Sequence, residues 1–163
     1  MDFIWLQMVQ LPTFDSLRSD LKTDVLIIGG GMAGLLCAYK LAQAGVDYAL
    51  VEADRICGGI TKNTTAKITS QHALIYDKLI REFGVERAML YLEANLAALE
   101  EFRILCWDID CGYEEKDAFV YSMNSRQKLE RELKALIRLG FPAEFLESIP
   151  LPFPMAGAVK VEN

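Results

Sequence analysis

The sequence predicts an α/β chain: one βαβ unit, then helices and a short antiparallel strand pair, with too few strands to complete a doubly wound sheet. Three observations predict it. A short apolar run, Asp24-Val-Leu-Ile-Ile28, leads directly into a glycine cluster. Apolar residues at helical spacing follow and stop at Gly45. A second apolar run, Val46 to Val51, comes next, so strand, helix and strand fit within about thirty residues.

Met1 to Leu11 is apolar and carries Trp5, but Asp2, Gln7 and Gln10 interrupt it, so it reads as an arm packing on something else and not as an anchor. Pro12 to Asp20 reads as a loop. Residues 24–28 suit a strand buried on both faces, as in sheets covered by helices on each side. Residues 32–44 place Leu35, Leu36, Ala38, Tyr39, Leu41 and Ala42 on a helical pattern, and Gly45 stands where a helix takes its left-handed C′ residue. The second strand ends at Glu52, and a right-handed parallel crossover is the expected hand. Residues 53–70, with Gly58, Gly59 and several threonines, read as a functional loop.

Helices are expected over Gln71 to Phe83 and from about Val85 to Cys106. The second carries Val85, Met89, Leu92, Leu96 and Leu99 at spacings of 4, 3, 4 and 3. Ile109 to Tyr121, ending Phe119-Val-Tyr121, predicts a hairpin or antiparallel pair. Asn124 or Ser125 caps a helix carrying Leu129, Leu133, Leu136 and Ile137, closed by Gly140. The tail holds Pro142, Pro150, Pro152 and Pro154 and is irregular, with Ala158 to Val161 beginning a strand. The organisation changes at about residue 70, from βαβ to mostly helix.

Composition narrows the function. Among 163 residues, 52% are hydrophobic and 25% charged, which excludes a disordered or fibrous chain. Mean hydropathy of +0.17 leans apolar and hints at a large ligand or a missing partner surface. A net charge of −6 argues against the broad basic face of a nucleic-acid binder. Cys37, Cys57, Cys106 and Cys111 are widely spread and His72 is the only histidine, a pattern without metal-ligand spacing. With no secretory leader and no apolar run of the ~20 residues a spanning helix needs, the expected location is the cytoplasm, with reduced thiols.

The chemistry concentrates in Gly29-Gly-Gly31-Met-Ala-Gly34. Gly29, Gly31 and Gly34 satisfy G-x-G-x-x-G between a strand and a helix, the pattern of a Rossmann-like dinucleotide site. The first allows a tight turn, the second lets a pyrophosphate approach the backbone, and the third lets helix pack on strand. The helix N-terminus offers unpaired N–H groups to phosphate. Glu52 lies 18 residues beyond Gly34, where a carboxylate accepts hydrogen bonds from an adenosine ribose and disfavours a 2′-phosphate. Gly58, Gly59, Thr61, Thr64 and Thr65 extend the set with bare backbone and hydroxyls, more than NAD needs and suited to FAD; a merely flexible polar loop is the plainer alternative.

From Asp24 through Asn63-Thr-Thr-Ala-Lys-Ile-Thr69, the chain resembles FAD-dependent oxidoreductases of the D-amino-acid oxidase and glycine oxidase superfamily. Within it, the chain resembles the bacterial branch that often carries a C-terminal Rieske domain and includes gamma-glutamylputrescine oxidase-like proteins. The likeness takes in Ile4-Trp5, Gln71-His-Ala-Leu-Ile-Tyr76 and Ala156-Gly-Ala-Val-Lys160. It implies that Gly29, Gly30, Gly31 and Gly34 with the Met32 and Ala33 amides hold the pyrophosphate. Glu52 would bind the ribose, with Ala53 and Arg55 beside the adenine half. Gly58, Gly59, Thr61, Thr64, Thr65 and Ala66 would run toward the flavin. Lys67 would stand near the isoalloxazine, or be an ordinary solvated lysine.

The resemblance further implies that residues 1–163 are the N-terminal portion of an FAD-binding oxidoreductase domain. Its parts would be an arm (1–20), the βαβ with its cofactor loop (21–70), and a helical region starting the substrate domain (71–163). The reaction implied is oxidation of a small amine or amino acid by hydride transfer to flavin. Family members run to roughly twice this length or more, so no catalytic residue is assigned, and the Rieske ligands are absent. An NAD-dependent oxidoreductase and a truncated, non-catalytic nucleotide-binding module are the rival readings, and unpaired sheet edges would favour self-association. His72 reads as a hydrogen-bonded structural residue. Cys57 reads as packing beside the glycine pair, with a covalent flavin bond as the alternative. Cys106-Trp-Asp-Ile-Asp-Cys111 reads as a helix end entering a strand, not as redox chemistry.

Overall fold

A computed structural model describes residues 10–162. The expected arm of residues 1–11 therefore lies almost wholly outside the described residues. The chain divides into two compact units, Met1–Lys67 and Ile68–Asn163.

The first unit is the βαβ. Strand β1 (Val25–Ile28) pairs in parallel with β2 (Tyr48–Val51), Val25 opposite Tyr48 and Ile28 opposite Val51, and α1 (Met32–Gln43) connects them. Gly29 N–H donates to Val51 O at 2.8 Å, so the pairing continues into the glycine turn. Helix α1 ends as expected: Val46 N–H donates to Leu41 O, and Gly45 takes φ +68°. The expectation that β1 is buried on both faces is corrected. Ile27 is buried, but Leu26 and Ile28 are 56% and 81% exposed. Side chains alternate across a strand, and in this two-stranded sheet α1, whose buried residue is Ala38, covers the face that carries Ile27.

The second unit packs helices on an antiparallel sheet. Helix α2 (Tyr76–Cys106) is broken at Gly84, whose φ of +83° and ψ of 168° separate two helical segments at the expected junction. Its start differs from expectation: Gln71 to Ile75 is not helical, because this stretch is held by side-chain hydrogen bonds of its own. Strand β3 (Ala118–Ser122), helix α3 (Arg126–Arg138), strand β4 (Ala143–Leu146) and strand β5 (Gly157–Val161) follow.

The sheet order is β3-β5-β4, antiparallel throughout, with Ala118 opposite Val161 and Ala143 also opposite Val161. This corrects two expectations. Residues 109–117 form no strand, so β3 finds its partner not in a local hairpin but in β5, far along the chain. The tail also holds a strand that was not expected, β4; the strand expected over 158–161 is present as the central β5, whose Ala158, Val159 and Val161 are buried, and 147–156 is irregular as expected. The region after residue 70 is thus a helix-on-sheet layer rather than mostly helix. Leu129 and Leu136 of α3, Ala88 and Leu92 of α2, and Val159 of β5 form its core.

One carboxylate organises that core. Glu132 of α3 is fully buried. Its Oε1 accepts from Tyr76 N–H at 3.0 Å and from Gln71 Nε2 at 3.1 Å, and its Oε2 accepts from Asp77 N–H at 2.9 Å. A helix start has amides with no intrahelical acceptor, and α2 receives its cap from another helix. Tyr76, buried beside it, donates its hydroxyl to Ser70 O at 2.6 Å, and burial pushes its phenol well above the usual tyrosine range.

Glu132→Ala should therefore destabilise this unit by about 3 kcal/mol, since two buried hydrogen bonds and a part-buried one lose their acceptor at once. Glu132→Gln, which keeps one carbonyl oxygen, should cost less. Urea denaturation followed by circular dichroism checks this; an unchanged midpoint for the alanine variant would contradict the capping role.

Candidate functional site

The glycine turn joins β1 to α1, and each glycine answers a different constraint. Gly29 sits at φ +106°, a region L-residues avoid. A Cβ on Gly34 would lie 2.0 Å from Gly29 O, so the helix crosses the turn in direct contact. A Cβ on Gly30 would lie 2.8 Å from Ile56 Cγ2, where the following loop folds over the turn.

Helix α1 has no side-chain cap of its own at Gly31. Instead, Thr61 Oγ1, from a short 3-10 turn over Ile60–Asn63, accepts from Met32 N–H at 3.1 Å. Leu35 N–H closes the first turn onto Gly31 O at 3.0 Å. The Ala33 and Gly34 amides then have no carbonyl behind them in the helix and lie at the positive end of its dipole.

Glu52 follows β2 and reaches back across this turn. Its Oε2 accepts from Gly30 N–H at 2.7 Å and its Oε1 from Asp54 N–H at 3.1 Å. The Gly30 amide first, then that of Asp54, holds the carboxyl below the usual glutamate range. The group is solvent-exposed, and each oxygen keeps a lone pair for a further donor. Cys57, at φ +55°, closes the assembly by donating its N–H to Gly30 O at 2.8 Å.

Direct hydrogen bonds thus join Gly30 to Glu52 and Cys57, and Met32 to Thr61. The other expected residues are arranged more locally. Gly58 N–H turns back to Arg55 O at 3.0 Å, and Asn63 Nδ2 donates to Gly59 O at 3.2 Å. Ala66 N–H donates to Thr64 Oγ1 at 3.0 Å, with Ala66 at φ +54°. Ala53, Arg55, Thr65, Ala66 and Lys67 are exposed. His72 belongs to the second unit, where its Nε2 pairs with Asn95 Oδ1 at 3.2 Å. Sequence reasoning missed Ile56 and the Asp54 amide; nothing in a residue's identity signals a backbone donor or a methyl packed on a glycine.

Chemically, the turn offers paired amides and a helix dipole to an anion, with an ionised carboxylate to one side that accepts from hydroxyls. That set fits a diphosphate flanked by a ribose. Among the described residues, no group of three or more His, Cys, Asp and Glu side chains could hold a metal ion, and no helix is long and apolar enough to cross a membrane.

Residues 24–161 match the model of the DAO family, described as FAD dependent oxidoreductase. The chain is 38% identical over 163 residues to YhfW of Bacillus subtilis (strain 168), which bears the name of a Rieske 2Fe-2S iron-sulfur protein; the match covers 98% of this chain and 32% of that protein. It is 31% identical over 116 residues to gamma-glutamylputrescine oxidoreductase of Escherichia coli (strain K12), covering 70% of this chain and 27% of that one. The structure resembles glycine oxidase from Bacillus cereus ATCC 14579 with a TM-score of 0.57 at 26% identity, over 87% of this chain and 39% of that one. The chain spans about a third of the length of these relatives.

Gly34→Ala should open the turn, because a methyl 2.0 Å from a backbone oxygen displaces either the helix or β1. The expected cost exceeds ~2 kcal/mol, the range of severe backbone strain and overpacking. Amide hydrogen exchange of residues 25–28 reads it directly; parent-like protection would mean that helix and turn are not in contact.

Proposed function

Because the chain belongs to the DAO family of FAD-dependent oxidoreductases, we propose that its first unit is the FAD-binding site of an amine or amino-acid oxidoreductase. The observation that carries the reading is the 2.7 Å bond between Gly30 N–H and Glu52 Oε2, which brings the acid at the end of β2 onto the glycine turn. FAD when bound supplies the acceptor for the hydride leaving the substrate carbon. The chain's own residues bind and orient.

Gly29, Gly30, Gly31 and Gly34 leave the backbone bare, and the Ala33 and Gly34 amides donate to the pyrophosphate. The Met32 amide is already held by Thr61. That hydroxyl, having accepted from Met32, is free to donate its own proton onward. Glu52 takes the ribose hydroxyls on its remaining lone pairs, with Ala53 and Arg55 flanking the adenine half. Gly58, Gly59, Thr64, Thr65, Ala66 and Lys67 continue toward the flavin. Gly59 lies on this path: its φ of −89° and ψ of −129° fall outside the regions other residues favour, and a Cβ there would meet nothing within 4 Å, so the turn needs glycine and leaves its surface open to a ligand.

Amine or amino-acid chemistry rests on the names of two relatives, gamma-glutamylputrescine oxidoreductase and glycine oxidase. The family match selects FAD over NAD. A reducing cytoplasmic location belongs to the same reading and suits four free cysteines.

Glu52→Ala should weaken FAD binding by about ten-fold or more, because charge-assisted hydrogen bonds to the ribose are lost. Flavin retained after gel filtration measures it, and undiminished retention would remove Glu52 from the site. The pH dependence has a definite sign. The folded-state value of Glu52 lies below 4.5, so its contribution is fully present above 4.5 and is lost as pH falls through the lower, folded value. Retention in the parent should therefore fall only in acid, and Glu52→Gln should lack that limb.

The 163-residue chain with excess FAD should bind flavin weakly and release no hydrogen peroxide from a panel of amines and amino acids. Placing a substrate against the flavin and excluding water supply several kcal/mol of barrier reduction, and this chain spans about a third of its relatives' length. Turnover well above free flavin would show a complete catalytic site within these residues.

A further inference from the structure

We propose that the groove at the C-terminal end of α2 binds a small organic ammonium cation. The sequence suggests a helix running into a strand here, but the chain turns instead. Ile109 N–H donates to Cys106 O at 3.2 Å and Cys111 N–H to Ile109 O at 2.8 Å. The turn leaves an open groove of about 500 Å³ whose lining includes Arg103, Trp107, Ile109, Asp110, Tyr113 and Glu115. That volume falls within the range of small-molecule sites.

The lining selects for positive charge. Trp107 is 76% exposed, so its ring stands in solvent, and indole is the best aromatic partner of a cation. Arg103, the basic residue of the lining, donates Nε to Glu100 Oε2 at 2.7 Å and Nη2 to Glu100 Oε1, so its charge is already met. Asp110 and Glu115 take part in no ion pair among the described residues.

The surroundings act in the same direction. Residues 100–117 carry seven carboxylates against Arg103 and Lys116, so five of the six net negative charges of the chain lie in this stretch. A concave surface of one sign concentrates ions of the other, and the end of α2 adds the negative pole of the helix. An anion is repelled here, and a second copy of the chain would bring the same acidic stretch against itself. The alkyl groups of an ammonium ion would pack on Trp107 and Ile109 while Asp110 and Glu115 met its charge.

The test uses the full chain without added flavin, so its outcome is independent of the FAD reading. Choline is the probe, and 3,3-dimethylbutan-1-ol, of the same shape without the charge, is its control. Saturation-transfer NMR follows the methyl signal of each, and the Trp107 indole N–H, identified by its absence in Trp107→Phe, locates the site. Choline should give a saturable signal and shift that indole, and the alcohol should bind about ten-fold more weakly. Asp110→Asn combined with Glu115→Gln should weaken choline about ten-fold, and added salt should act in the same direction. Trp107→Leu should weaken it about five-fold, whereas Trp107→Phe, which keeps a ring, should lose less. Far-UV circular dichroism of the variants should match the parent. Equal binding of choline and the alcohol, or a choline signal untouched by the carboxylate variant, would overturn the proposal. So would binding of an acetylated lysine–leucine peptide with no response to choline, which would make the groove a protein contact.

Discussion

The first unit depends on one carboxylate meeting one amide. Glu52 closes onto Gly30 across 22 residues of chain, and its other oxygen holds Asp54. Without that bond, the glycine turn, which has little side-chain volume of its own, would have only Cys57 N–H on Gly30 O and Thr61 on Met32 to tie it to the following loop. The bond also favours the ionised carboxyl, the form in which both oxygens are acceptors and neither carries a proton. Structure and recognition thus share a group: the charge that fixes the turn is the charge that a ribose would meet.

The second unit uses the same device under opposite solvation. Glu132 also gathers backbone amides from a distant helix start, but it does so fully buried. A buried carboxylate without its donors costs far more than an exposed one, so this group is structural cement. Exposure separates the two. Glu52 can serve a ligand because water, and hence a hydroxyl, reaches its spare lone pairs; nothing reaches those of Glu132.

The residues explain which parts were legible in the sequence. The βαβ and its ends were readable because glycines at φ +106° and +68° leave no doubt about where strand and helix stop. Gly84 marked the break in α2 for the same reason. The antiparallel sheet was not readable, because β3 pairs with a strand 35 or more residues away and the short β4 lies just after a proline. Local periodicity carries no information about such pairing. The site was legible as a list of residues but not as a network. That Thr61 caps α1 and that Cys57 adopts a left-handed conformation are tertiary facts, forced by a loop folding over glycine.

The apolar lean of the composition shows at the surface of the first unit. Among its described residues the buried apolar side chains are Ile27 and Ala38, while Leu26 and Ile28 on β1 and Ile60 on the loop are largely exposed. A core that small contributes little, since burying a large aliphatic side chain is worth roughly 1.5–3 kcal/mol against the entropy of ordering the chain. Left-handed Cys57 and Ala66 store further strain in the same loop. A unit built this way gains from any ligand that binds only its folded form. At a ligand concentration 100 times the Kd, that gain is about 2.7 kcal/mol. On the proposed reading, FAD is then as much a part of the unit's stability as of its chemistry, and the glycines that weaken the apo fold are the ones that let the cofactor restore it.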